Sequence, residues 1–326
     1  MGDVRAEGDG TAAPVRRSEA GSGSGAGSGS GSGSGAGSGA EWADGVGRVV
    51  AGSLAGHPDP TSIVIDTSVP HPARRYDYLL GGKTHYAADR ESAEAIAGAF
   101  PGIRTAAQEN RRFLRRAVLM LARDHGIDQF LDVGTGIPSP GNTHEVAQGI
   151  IPSARVLYAD NDPVVLAHSQ ALLDGTTQGR TAYIHADLRA PDTVLDHPQL
   201  AATLDLSRPV GLLIVAVLHF LTDEDRPYDA VARLVAALAP GSFLVLSHGT
   251  WDFMPPAMIE QIKALSTPST GVFATRTHAE LGRFFTGLDL VPPGIFPLNR
   301  WRADDEPQPR PGDAETAFYG AVGRVP

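Results

Sequence analysis

The chain contains no cysteine, which excludes disulfides, thiolate metal sites and a cysteine nucleophile. Lysine is nearly absent as well: Lys83 and Lys263 are the only two, and arginine supplies the rest of the positive charge. Acidic residues are in excess and the net charge is −10, which weighs against nucleic acid as the main partner, because phosphate binding needs a basic surface. Long apolar runs are missing too. The longest, Val210 to Leu221, spans twelve residues and includes His219, too short for a bilayer and suited to a buried strand. Met1 to Gly10 is polar and lacks the apolar core of a signal peptide. A cytoplasmic protein with no membrane partner is therefore expected.

What is present divides the chain in two. Residues 20 to 40 are Gly, Ser and Ala only, a composition with nothing to bury and high backbone entropy. A disordered low-complexity extension and linker is expected over 1–65, and a folded domain over 66–326. Its first part, 66–126, reads as helical, with Phe113, Leu114, Ala117, Val118 and Leu121 on one stripe. From Ile127 the rhythm changes to alternating strands and helices. Strands are expected near Gln129–Val133, Arg155–Asp160, Thr181–Ala186, Gly211–Val217 and Ser242–Ser247. Helices are expected over Asn142–Gly149, Pro163–Leu173, Asp225–Leu238, Pro256–Leu265 and Thr277–Phe285, the last opened by a Thr277/Glu280 capping box. Leu288–Phe296 and Ala317–Val325 would finish the sheet. This order implies an α/β fold, a mostly parallel sheet covered on both faces.

The chemistry concentrates at the strand tips. Phe130-Leu-Asp-Val-Gly-Thr-Gly136 ends an apolar run on Asp132 and enters a Gly-x-Gly turn, where glycine lets the backbone approach a ligand closely. A second run ends on Asp160, where a carboxylate accepts from ribose hydroxyls. A third ends at His185-Ala-Asp187-Leu188, where Asp187 could accept from an adenine amino group. Gly134, Thr135, Gly136, Asn161 and Leu188 complete the candidate cofactor set. A dinucleotide fits poorly, because its pyrophosphate needs an uncharged turn and a third glycine. Ser139 holds that third position, Pro138 and Pro140 remove backbone donors, and Asp132 would repel phosphate. A carboxylate there suits a cationic ligand, which points to S-adenosyl-L-methionine. No compact carboxylate set suggests a metal.

Several stretches are long enough to carry a resemblance. They are Pro70 to Lys83 (PHPARRYDYLLGGK), Glu109 to Arg116 (ENRRFLRR), Gln129 to Pro138, Asn142 to Gln148, Tyr158 to Pro163 and Ala216 to Phe220. Through them the chain, from about Asp66 to Val325, resembles a family of S-adenosylmethionine-dependent methyltransferases of high-GC Gram-positive bacteria, long known as a domain of unknown function. The resemblance implies a class I, Rossmann-like methyltransferase with a seven-stranded sheet and a helical amino-terminal part. It also implies that Asp132, Gly134 and Gly136 hold the methionyl end, Asp160 the ribose and Asp187 the adenine. It brings no acceptor with it.

Methyl transfer is an in-line displacement, so the protein must chiefly position two reactants. The acceptor is expected over the carboxyl edge of the sheet, near His219, Phe220, His248, Trp251 and Phe253. No catalytic residue is identified; His219, Tyr76 and Tyr86 are weak candidates, and His219 reads first as a satisfied histidine closing the core. Arg74 to Tyr86 reads as a lid with Gly81-Gly82 as its hinge, or else as a helix pair held by Arg–Asp pairs on a solvated face. An arginine of the Asn110–Arg116 segment could reach the cofactor carboxylate. A small-molecule methyl acceptor is the leading expectation. The alternatives are a non-catalytic S-adenosylmethionine- or nucleoside-binding module of the same fold and, less favoured, a nicotinamide-dependent dehydrogenase.

Overall fold

Five apolar runs between Gln129 and Gly249 form the parallel centre of one sheet: β1 (Gln129–Val133), β2 (Arg155–Asp160), β3 (Arg180–His185), β4 (Gly211–Val215) and β5 (Phe243–Gly249). Near-continuous apolar sequence is what a strand buried on both faces requires. Alternate residues of β1 show it: Leu131 and Val133 join one core, Phe130 the other. The computed structural model describes residues 48–50, 64–166, 177–267 and 272–326. The extension expected through Ala40, and the expected helix beyond Leu166, lie outside the described residues.

The edge of the sheet differs from the expected seven strands. After β5 comes the antiparallel β8 (Phe318–Arg324), which pairs on its outer side with both β6 (Asp289–Leu290) and β7 (Phe296–Pro297). The order is β3-β2-β1-β4-β5-β8-β6, with β7 sharing the last position. Among the described residues the sheet thus has eight strands in seven places. Pro292-Pro293-Gly294 divides the outer strand, because proline offers the ladder no N–H. β4 also stops two residues before the expected Val217. Ala216 turns into the left-handed region at φ 59°, and its N–H donates to Ser247 Oγ at 2.9 Å. The helix expected from Asp225 is divided as well. A 3₁₀ turn covers Asp223–Asp225, Arg226 is left-handed, and the α-helix runs Pro227–Val235.

Ahead of the sheet lie α1 (Pro72–Leu79), α2 (Ala87–Ala99) and α3 (Ile103–Asp124). The stripe expected on α3 is the face that packs on the sheet: Phe113, Leu114, Ala117, Val118 and Leu121 are all buried. The approach is close, since a Cβ at Gly320 of β8 would lie 2.7 Å from the Phe113 ring. α3 therefore fixes where α1 and α2 stand over the carboxyl edge of the strands. Among the described residues no helix is long and apolar enough to cross a membrane.

Candidate active site

Gly134 and Gly136 occupy left-handed conformations, at φ 74° and 69°. Only Gly134 is also confined: a Cβ there would meet Val217 Cγ2 at 2.2 Å, whereas nothing lies within 4 Å of one at Gly136. The turn spends its backbone donors on the protein itself. Gly134 N donates to Ala159 O at 2.7 Å, Gly136 N to Asp160 Oδ2 at 2.7 Å, Ser139 N to Asn142 Oδ1 at 3.1 Å and Gly141 N to Glu145 Oε2 at 2.8 Å. A pyrophosphate would need those groups free. The donor set present therefore suits a cationic nucleoside ligand.

The carboxylates explain why. Asp132 is buried and accepts from Thr143 Oγ1 at 2.6 Å, on the short helix α4 (Thr143–Gln148). Burial pushes its carboxyl up to about 6, against the pull of Thr143 and Arg111. A buried anion held at such a value gains from a cation placed beside it. Asp160 is raised by burial too, although Asp162 N and Gly136 N both donate to it. A carboxylate has about four acceptor positions, so Asp160 keeps capacity for hydroxyls.

The Glu109–Arg116 segment resolves into separate tasks by helix face. Glu109 pairs with Arg112 and Arg310, and Arg116 donates to Trp301 O at 2.9 Å and Leu298 O at 2.8 Å. These residues hold the chain that leads into β8. Asn110 and Arg111 turn the other way and line the cleft. Arg111 Nη2 donates to Gly141 O at 2.9 Å, beside Asp132. Of the arginines in the segment, Arg111 is thus the one at the cofactor edge.

The cleft is lined by Asp132, Gly134, Thr135, Gly136, Asp160 and Asn161, with Arg111 and Arg189. Asp187 and Leu188 stand outside this lining. Leu188 is buried in the core. Asp187 is held by Arg189, with Nη2 at 2.6 Å, and by Asn161 Nδ2 at 3.2 Å. Burial would raise its carboxyl, but those bonds outweigh it and leave it lowered. Arg189, which the sequence did not single out, reaches the cleft instead.

α1 roofs the cleft through His71, Pro72, Ala73 and Tyr76. Its first turn is tied to the strand-tip loop, with His71 Nδ1 3.0 Å and Arg74 Nε 3.3 Å from Asp162 Oδ2. Asp89 joins α1 to α2 by accepting from His71 N and Tyr86 N, each at 2.8 Å. The expected Arg–Asp pairs exist, but they are buried, not on a solvated face. Gly81-Gly82 is not built as a hinge. A Cβ at Gly82 would sit 2.0 Å from Asp77 Oδ1, and Asp77 also accepts from Thr84 N at 2.8 Å. Tyr86 caps α2 and lies under Arg74, outside both cavities. Tyr76 is at the site, with its hydroxyl donating to Ala107 O and accepting from Asn110 Nδ2, both at 3.0 Å.

A second cavity adjoins the cleft, and the two share Pro72, Tyr76, Asn110, Ala216 and Phe220. Its walls are mostly apolar, among them Phe100, Trp251, Phe273 and Phe318. His219 lines it. His248 and Phe253 do not: His248 accepts from Arg276 Nη1 at 2.9 Å, and Phe253 packs on Tyr319. Among the described residues no group of His, Asp and Glu could hold a metal ion.

The S-adenosyl methyltransferase family pattern matches residues 58–326. The crystal structure of a DUF574 family protein from Streptomyces avermitilis MA-4680 is similar, with 44% identity over 80% of this chain and 99% of that one and a TM-score of 0.75. A candidate methyltransferase from Thermobifida fusca YX is 39% identical over 80% of this chain and 96% of that one, at a TM-score of 0.73. No curated protein matches the sequence.

Proposed function

We propose that this chain, which belongs to the S-adenosyl methyltransferase family and is an S-adenosylmethionine-dependent enzyme, methylates a small molecule held in the apolar cavity beside the cofactor cleft. The observation that carries this reading is the shared wall. Tyr76, Asn110, Ala216 and Phe220 face both cavities, so ligands in the two would meet there. When bound, S-adenosylmethionine supplies an electrophilic methyl group on a sulfonium. The chain's own part is to hold, orient and exclude water. Asp132 meets the methionyl ammonium, Arg111 the methionyl carboxylate, and Gly134, Thr135 and Gly136 let the backbone close on that end. Asp160 and Asn161 take the ribose. For the adenine we assign the Asp187–Arg189 turn, where Asp187 gives up bonds to Arg189 in order to accept from the amino group and Leu188 backs it. Residues 66–126 act as a helical cap on the 127–326 core, with α1 over both ligands. A walled cavity favours a small acceptor over a protein or nucleic acid, and the acidic net charge agrees. A cytoplasmic location belongs to the same reading and is checked by fractionation.

The test is calorimetry with S-adenosylmethionine, S-adenosylhomocysteine and NAD, followed by transfer of labelled methyl to a fractionated metabolite pool. Binding of the first two, and label in a low-mass fraction, are expected. Label only in protein or nucleic acid would overturn the small-molecule acceptor.

A further inference from the structure

We infer that the apolar cavity takes a flat, uncharged aromatic acceptor bearing one O–H or N–H group, and that His219 receives that group's hydrogen bond and then its proton. The inference deepens the methyl-transfer reading and rests on it. It starts from an unmet need. His219 is 3% exposed and lines the cavity, yet among the described residues its buried Nδ1 has no hydrogen-bond partner. Buried polar atoms are nearly always paired, and an orphan is a cost that a ligand can remove. Burial pushes the imidazole well below its ordinary range, with His248 and Arg276 adding to the effect. The ring is therefore neutral and has a nitrogen lone pair to offer.

The surroundings fix that ring in place. Ala216, in its left-handed conformation, turns the chain off β4 into the 3₁₀ turn Leu218–Phe220 that carries His219. Arg276 grips both ends of this turn from below, donating to Leu218 O at 3.1 Å and Leu221 O at 3.3 Å. It also donates to His248 Nε2, whose Nδ1 donates to Gly249 O at 2.7 Å, so His248 stays neutral with both nitrogens used. Burial brings His248 down to about 3. Arg276 is thus a positioning residue, and His219 is the histidine left with capacity for a ligand.

The walls select the rest of the ligand. His219 stands among aromatic rings, with centroids 4.3 Å from Phe220, 4.8 Å from Phe273 and 5.4 Å from Phe318. Such edges and faces favour a planar ring system. Among the described residues no carboxylate lines the cavity, and its guanidinium, Arg75, donates to Ser92 Oγ at 3.1 Å; burial lowers it to about 10, against the pull of Asp89. A cation would find no counter-charge there, and an anionic carboxylate would bring the lone pair of His219 no donor. An uncharged ring with a single donor keeps its apolar surface on the walls and its hydrogen on His219. As the acceptor's proton passes to the imidazole nitrogen, the acceptor heteroatom forms its bond to the methyl carbon. The methyl–sulfur bond breaks with its electron pair left on sulfur, and the imidazolium afterwards gives the proton to water.

The test measures binding of 2-naphthol, naphthalene and 2-naphthoate to the full chain saturated with S-adenosylhomocysteine, that saturation having been measured first. The naphthol is expected to bind about tenfold more tightly than naphthalene, the value of one hydrogen bond to a buried partner, and the naphthoate more weakly than either. His219→Phe should reduce the naphthol to the level of naphthalene and leave naphthalene unchanged. Arg276→Lys should lower the naphthol preference by a few-fold while S-adenosylhomocysteine binding persists. Equal binding of naphthol and naphthalene to the unaltered protein, or preference for the naphthoate, would overturn the assignment without any variant. Absence of all three ligands from a protein that holds S-adenosylhomocysteine would overturn it too. Failure of S-adenosylhomocysteine to bind would instead remove the cofactor assignment of the cleft, and this inference with it.

Discussion

The two adjoining cavities are made in opposite ways. The polar cleft is built from strand ends and the turns that follow them, with carboxylates and backbone N–H groups brought together by the β1–α4–β2 unit. Asp160 binds Gly136 N and Asp162 N, and Asp132 binds Thr143. The apolar cavity is built from side chains on α1, α2, α3, the helix Pro256–Leu265, the loops after β4 and β5 and the start of β8, segments far apart in the chain. Local polar geometry therefore shapes the cleft, while long-range packing shapes the apolar cavity. Substitutions in one cavity should leave ligand binding in the other largely intact.

The sharpest way to break that contrast is Asp160→Ala. Loss of a charged acceptor for two backbone donors and the ribose should weaken S-adenosylmethionine about 100-fold, as read by calorimetry. If 2-naphthol binding falls equally, the cavities are one site and the contrast fails. Next in size is the pair Gly134→Ala and Gly136→Ala. Both force alanine into a left-handed conformation, costing about 1–2 kcal/mol, but only Gly134 adds a clash with Val217. Thermal denaturation should rank Gly134→Ala as clearly the worse; equal losses would mean that Val217 yields.

A smaller effect follows from Asp132. Its folded-state value, about 6, lies above the ordinary 3.8, so the protein is stabilised by keeping it neutral. That contribution is complete below about pH 4 and is lost as pH rises through about 6, amounting to about 3 kcal/mol in the apoprotein at full loss. Ligand binding runs the other way, because the ammonium needs the carboxylate. Affinity for S-adenosylmethionine should rise about tenfold from pH 5 to pH 7. Asp132→Asn should flatten this profile while raising the melting temperature at pH 8; a profile that stays steep would assign the titration elsewhere.

Tyr76→Phe sharpens the boundary itself. Removing a hydroxyl bonded to Ala107 O and Asn110 Nδ2 should cost about 1 kcal/mol and weaken ligands in both cavities by a few-fold. An effect confined to one would move the shared wall. Smallest of all is Tyr86→Phe, outside both linings, where turnover should change by less than about twofold. A large loss of rate would return Tyr86 to the catalytic candidates.

How much of this was legible in the sequence follows the same division. β1 and β2 have the expected ends because an apolar run stopped by a carboxylate is a local signal. The edge of the sheet was less legible: Pro292-Pro293 divides a strand whose pairing depends on β8, far along the chain. Gly81-Gly82 read as a hinge because nothing in the sequence places Asp77 against it. The arginine-rich helix face could be seen, but not which arginine turns to the cleft, since Glu306, Arg310 and the carbonyls near Trp301 decide that. Arg189 and Arg276 gave no motif at all.

The sequence by itself determined the cofactor, because Asp132, the two glycines and Asp160 are set in space by strand–turn–helix geometry that needs no distant partner. Only the tertiary structure brings His219, Tyr76 and the aromatic walls around one cavity, where we place the acceptor. The unpaired nitrogen of His219 arises because its described neighbours offer it no hydrogen bond, and that is fixed only when every helix and loop around it has packed.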